Sequence, residues 1–219
     1  MKFTRKLETD LFDLVKAKTA PNALIIGQNG KLMGVLGKDR ITRIFDFASA
    51  KIVYRYDDSI KQYQVKRSID DPLYQWYAAE FDLEKRLVLE REIDKNYEQF
   101  YFSSLDFDES EEFLILPSLT GVKLIYLKES RVISLFGRKE NSERFVKAFL
   151  YQGESMRNPA VNNQGGMLSH LKETDPILVC LGFKRNRFYL FSRRNPDPDA
   201  AEKGLVRGKG NILNLRYPE

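Results

Sequence analysis

Between Pro21 and Asp58 apolar and polar residues alternate in four short runs, Ala23–Ile26, Leu32–Leu36, Ile41–Phe47 and Lys51–Tyr56. A period of two sends successive side chains to opposite faces of a strand. The runs are separated by Asn29-Gly30, by Gly37–Arg40 and by Ala48–Ala50. Asn-Gly between apolar runs is a strong hairpin signal, because both central turn residues take positive φ. The pattern predicts a four-stranded antiparallel meander over residues 21–58.

The same rhythm returns over Phe100–Phe136, with Asp108–Glu112 and Thr120-Gly121 as its turns. Val122-Lys123-Leu124 follows Thr42-Arg43-Ile44 at the same offset by which Arg131 follows Lys51. A third copy is split into Arg144–Gly153 and Pro176–Arg194 by a polar loop, and its second part turns around Lys184-Arg185-Asn186. Repetition of a four-stranded unit is the signature of a β-propeller, each unit forming one blade. The expected fold is all-β, a partial propeller of about three four-stranded blades at 21–58, 100–137 and 144–194, within a domain spanning 1–198. Three blades cannot close a ring, so both terminal blades are expected to expose an apolar face until further blades complete it.

A segment of opposite character lies between the first two copies. Asp71 is placed to cap a helix and Pro72 to occupy its first position. Leu73, Trp76, Tyr77, Leu83, Leu87 and Ile93 recur at helical spacing, and Arg86 and Glu90 stand four apart. One or two helices are expected over 72–95, with Trp76 and Tyr77 either pinning the helix to a blade or contacting a partner. The segment "TDLFDLVKAK" suits strand or helix, and after Asn195 the composition becomes that of a linker or tail.

Composition sharpens this picture only modestly. The 219 residues are 42% hydrophobic with 15 Phe and 11 Tyr, which favours strands. A net charge of +5, from 36 basic and 31 acidic residues of mixed order, permits contact with nucleic acid without predicting it. The single Cys180 excludes an intrachain disulfide framework and a cysteine-rich zinc site, and fits a reducing compartment. The N-terminal residues lack the apolar core of a signal peptide, and no run is long enough to cross a membrane. An intracellular location is expected.

Candidates for chemistry are few. His170 has no nucleophile or orienting partner near it in sequence, and Gly208-Lys209-Gly210 lacks the flanking strand and helix of a phosphate-binding turn. Asp106 and Asp108 share a strand face but sit in an acidic turn beside "ESEE". No catalytic, metal or cofactor site is expected. Basic hairpin tips remain, Lys38 and Arg40 in the first copy and Lys184, Arg185 and Arg187 in the third. They are candidate contacts for a protein partner first and for RNA second. Thr42 and Ile44 are expected to pack between blades, with Arg43 at a solvated or inter-blade edge.

The stretch "KDRITRIFD" resembles the third strand of a WD repeat, with Asp39 at the tight turn, Phe45 where Trp usually stands, and Asp46 closing the motif after Phe45. Longer stretches, "EKRLVLEREIDK", "GRKENSERFVKAFLYQG" and "DPILVCLGFKRNRFYLFSRR" among them, are similar in order to the latter part of the propeller in the WD-repeat cyclophilins, over residues 8–198. The resemblance implies a nuclear, spliceosome-associated protein involved in pre-mRNA splicing, whose propeller docks on spliceosomal proteins while a C-terminal cyclophilin domain acts on X-Pro bonds. Residues 199–219 would be the linker preceding that domain, and no cyclophilin active-site residue carries over. The chain is therefore expected to be a non-catalytic scaffold and not itself an enzyme. The alternatives are a truncated peptidylprolyl isomerase and an RNA-binding propeller.

Overall fold

The computed structural model describes residues 8–66, 80–95, 104–137, 140, 142–153, 176–184 and 186–192. The first sheet runs β1 (Pro21–Ile26), β2 (Leu32–Gly37), β3 (Ile41–Asp46) and β4 (Lys51–Asp57), antiparallel in that spatial order. The second repeats it with β5 (Asp106–Phe107), β6 (Phe113–Ser118), β7 (Gly121–Tyr126) and β8 (Arg131–Phe136). The third comprises β9 (Phe145–Tyr151), β10 (Ile177–Gly182) and β11 (Phe188–Phe191), so among the described residues it has three strands where four were expected. Helices α1 (Asp13–Lys16), α2 (Ile60–Lys66) and α3 (Glu80–Lys95) complete the architecture. The fold is mostly β. Asp71, Pro72, Trp76 and Tyr77 lie outside the described residues, and α2 was not foreseen from the sequence.

The repeat extends to irregularities that the alternating pattern does not show. The β3–β4 ladder shifts register between Ile44 and Phe45, and the β7–β8 ladder shifts between Leu124 and Ile125, the corresponding positions of the second copy. Ala50 and Ser130, another corresponding pair, take positive φ (52° and 51°) in the turns that follow β3 and β7. A β-bulge at a fixed place re-aims the strand that follows it. The two sheets therefore share the place of their bulge as well as their strand order.

Burial follows from stacking. Leu36 and Ile44 of the first sheet pack with Leu114, Leu116 and Ile125 of the second. From the opposite face of the second sheet, Phe113, Val122, Leu124 and Phe136 pack on Phe145, Leu150, Leu178 and Cys180 of the third. The middle sheet is thus covered on both faces, and every residue of β6 is buried. Burial pushes the Cys180 thiol up, away from its reactive form.

Two expectations for β3 part company here. Thr42 and Ile44 are fully buried as expected, but Arg43 is not at an edge: its side chain is fully buried. Helix α1 lies over it, with Asp13 Oδ2 accepting from Arg43 Nε at 2.6 Å and from Arg55 at 2.5 Å. Asp39 accepts from Arg43 Nη2 at 2.7 Å. The segment of ambiguous pattern is thus one turn of helix, placed there by its acid.

A single carboxylate ties the first two sheets together. Glu111, buried in the β5–β6 turn, accepts hydrogen bonds from the backbone N–H groups of Asn29 in the β1–β2 turn and of Leu32 at the start of β2. Gly27 makes room for it, since a Cβ there would come within 2.3 Å of the Glu111 carboxyl carbon. Gly27→Ala should displace that carboxylate and strand two amides, costing about 1–3 kcal/mol. Urea denaturation of Gly27→Ala, Glu111→Ala and the double variant is expected to show strong non-additivity. Additive losses would sink the account.

Candidate functional site

Helix α3 crosses the end of the sheets at which the β2–β3, β6–β7 and β10–β11 turns emerge. Its residues Arg86, Glu90 and Asp94 are spaced four apart and so share one helical face. Sequence spacing suggests an ion pair between the first two, but the structure sends both toward the sheets. Arg86 donates to the carbonyls of Leu119 (3.2 Å), Gly137 (3.0 Å) and Glu140 (3.4 Å), which lie around the ends of β6 and β8. Glu90 receives Arg144 Nε at 2.8 Å and Arg144 Nη2 at 3.1 Å from just before β9, and Arg40 from the β2–β3 turn. Asp94 holds the other arm of Arg40 at 2.5 Å. One helix thereby grips all three sheets. Leu87 adds an apolar contact, packing with Tyr63 of α2 and with Leu119.

Beside it lies a second buried network. Lys123, on β7, reaches Asp58 Oδ1 at 2.5 Å and Tyr63 Oη at 2.9 Å, and the Tyr63 hydroxyl also donates to Asp58. Lys123 is the counterpart of Arg43 in the second copy, so each of the first two sheets places a cation paired with carboxylates at the same strand position. Burial alone would raise the Asp58 carboxyl, but the Lys123 charge, its hydrogen bond and the Tyr63 hydroxyl outweigh that and hold it below the usual range. Burial and the neighbouring Asp58 push the Tyr63 phenol well above its ordinary value.

The sequence-predicted contacts are distributed as follows. Lys38 is half-buried, with its backbone N–H on the Ala20 carbonyl. Arg40 corrects its expectation: it is only 8% exposed and is spent on Glu90 and Asp94, because a helix covers the tip on which it sits. Lys184 is exposed and pairs with Glu92 of α3 at 2.5 Å. Arg187 is exposed, bonds Glu143 at 2.7 Å and lies over the Tyr189 ring. Trp76, Tyr77 and Arg185 lie outside the described residues. Asp39 binds Arg43, and its Oδ1 also accepts from the Ile41 N–H at 3.2 Å. Phe45 is buried. Asp46 caps its turn by accepting from the Ser49 N–H and hydroxyl, which lowers its carboxyl.

Asp106 accepts from the Leu150 N–H of β9, and Asp108 from the Phe113 N–H, so this acidic pair is structural. Among the described residues no group of acidic, His and Cys side chains could hold a metal ion. Sequence reasoning missed Glu90 as a bridge, and it missed Arg144, Asp58 and Tyr63 altogether. The one available signal was Lys123 falling on the repeat position of Arg43.

Glu90→Gln is expected to leave two buried guanidinium groups short of charge and to cost about 3–5 kcal/mol in denaturant unfolding. Glu92→Ala, which removes the exposed partner of Lys184, should cost under about 1 kcal/mol. Equal losses would show that Glu90 is no bridge. For Asp58 the folded carboxyl lies below the unfolded value of about 3.9, so its contribution is full above that pH and is lost as pH falls through the folded value. Asp106, raised mainly by burial, opposes this trend. Asp58→Asn should therefore cost most at pH 7 and least near pH 3, measured by urea midpoints. A penalty independent of pH would remove Asp58 from the network.

No protein-family model matches the sequence. The chain is 34% identical over 92% of its length to the peptidyl-prolyl cis-trans isomerase CYP71 of Arabidopsis thaliana, and 32% identical over 92% to the isomerase cyp15 of Rhizopus delemar. It is 28% identical over 88% to the Homo sapiens peptidylprolyl isomerase domain and WD repeat-containing protein 1. It spans about a third of the length of these relatives: 32%, 32% and 29%. Among solved structures, the β-propeller domain of Myceliophteria thermophila Cps50 (Swd1) matches 85% of this chain and 45% of its own at TM-score 0.35 and 10% identity. The fission yeast SREBP-SCAP binding domains match 77% and 32% at TM-score 0.37 and 10% identity. Both scores are too low to establish a shared fold. The expectation of a chain that is not an enzyme is overturned, since relatives covering about nine-tenths of it are named as isomerases. Across nearly all of its length, the chain is a homologue of peptidyl-prolyl cis-trans isomerases and of the isomerase that bears WD repeats in its name.

Proposed function

We propose that this chain is the WD-repeat, propeller-type part of a peptidyl-prolyl cis-trans isomerase, and that the α3-capped end of its sheets is where that enzyme docks protein partners. The similarity over 92% of the chain to a named isomerase carries the reading. The structure supports it with stacked antiparallel sheets that repeat in strand order and bulge position and hold their turns at one end. Partner sites commonly lie on turns and connections displayed by such a rigid scaffold. Here the display surface includes the outer side of α3, where Glu84, Lys85, Val88 and Arg91 are exposed. The ion pairs beneath fix that helix, so a partner meets a preorganised surface and loses less free energy to ordering it.

Spliceosomal partners and a nuclear location enter through the resemblance to WD-repeat cyclophilins. RNA contact has less support, because Lys184 and Arg187 are matched by Glu92 and Glu143, which leaves less positive charge for phosphates. Two measurements test the proposal. The isomerase that contains this part should speed isomerisation of an X-Pro peptide beyond its uncatalysed tens of seconds. A rate equal to the uncatalysed one removes the enzymatic part. Tagged protein should recover splicing proteins from nuclear extract, and Val88→Glu with Arg91→Glu should reduce that recovery about tenfold, to near the non-specific background. Undiminished recovery by the variant would dismiss the α3 surface.

A further inference from the structure

Helix α3 is held on the sheets mainly by charge. Among its described side chains the buried apolar ones are Leu87 and Ile93, whereas each contact between sheets buries a whole cluster of them. A helix of 16 residues draws little stability in water from its own hydrogen bonds. Buried ion pairs add little net stability against apolar packing, although they fix position. An element with few buried apolar contacts opens ahead of the rest of a fold. Helix α3 is therefore placed accurately but held less strongly than the strands beneath it.

The ion pairs across this contact are sorted by sign. The carboxylates belong to α3, at Glu90, Glu92 and Asp94, and the cations belong to the sheet ends. Those cations are Arg40 of the β2–β3 turn, Arg144 just before β9 and Lys184 of the β10–β11 turn. Glu90 grips Arg144 with both oxygens, at 2.8 and 3.1 Å, and Arg40 spreads its two arms over Glu90 and Asp94, one helical turn apart. A guanidinium fork matches a carboxylate in geometry as well as charge. The first and third sheets thus build one cationic seat, read by carboxylates spaced four residues apart on a helix.

We infer that α3 is a displaceable occupant of this seat: it lifts as a unit while the sheets stay folded, and an acidic helical segment of a partner protein takes its place on Arg40, Arg144 and Lys184. Lifting α3 takes Glu90 from Arg40 and Arg144 together, a loss that a segment bringing carboxylates one turn apart restores. The resident helix is then autoinhibitory, since the seat is open to a partner only while α3 is off it. This inference does not depend on the isomerase reading, and it concerns the inner face of α3, not the outer side that carries Val88 and Arg91.

Two measurements on the full chain test it. In native-state hydrogen exchange read by mass spectrometry, the amides of residues 83–95 should exchange faster than those of β6 and β7. Glu92→Gln with Asp94→Asn removes two half-exposed carboxylates and leaves Glu90 in place. That double variant should keep the wild-type circular dichroism and speed exchange in α3 about fivefold, with β6 and β7 unchanged. In fluorescence anisotropy, a labelled peptide of residues 80–95 should bind the double variant about fivefold more tightly than the wild type, because its site is vacant more of the time. The same peptide carrying Glu90→Gln and Asp94→Asn should bind about tenfold more weakly. Exchange of α3 only together with the sheets overturns the inference. So does a peptide that binds neither protein, binds both alike, or binds as well without those two carboxylates.

Discussion

A sheet that is apolar on both faces is stable only between two others, and the second sheet imposes that requirement on the whole chain. Every residue of β6 is buried, with Leu114 and Leu116 facing one neighbour and Phe113 and Ile115 the other. The first and third sheets must therefore flank it, and the repeat of the first sheet in the second matches them in bulge position. The same logic leaves Phe149, Phe188 and Leu190 exposed on the outer face of the third sheet, whereas on the first sheet Val35, Arg43 and Phe45 are buried and α1 lies over Arg43.

Apolar stacking is non-directional, and it would tolerate a range of angles between sheets. Ion pairs and hydrogen bonds at one end remove that freedom. Glu90 joins Arg40 to Arg144, Arg86 reads the carbonyls around the middle sheet, and Lys123 binds Asp58 and Tyr63. Buried pairs contribute little net stability against well-packed apolar replacements, yet breaking one partner is costly. In this chain their role is geometric, since they set where α2 and α3 sit on the ends of the sheets. The exposed side of α3 inherits that fixed position.

The strands were legible because their alternation is local. All four strands of the first sheet fall within one or two residues of the runs read from the sequence, and the copies at 100–137 and 144–194 were located by the same rhythm. The functional end was not legible in this way. Arg40 and Arg43 read as turn and edge cations because a pattern of period two shows that a side chain leaves the strand, not what covers it. What covers them is α1 in one case and α3 in the other. The non-enzyme reading failed differently: it rested on the absence of catalytic motifs within this chain, whereas the homologues are named for an isomerase activity that this third of their length need not display as a motif.

The sequence by itself determined the antiparallel meanders, their repetition along the chain, the hairpin at Asn29-Gly30 and the helical character of Leu83 to Ile93, because each follows from side-chain period and turn chemistry over a few residues. Only the tertiary structure decided which cations are buried, which carboxylates they meet and which faces stay open. Glu90 meets partners 50 and 54 residues away, and Lys123 meets Asp58 across 65. Pairings at that separation depend on how the sheets stack, and stacking is a property of surfaces that no short stretch of sequence contains.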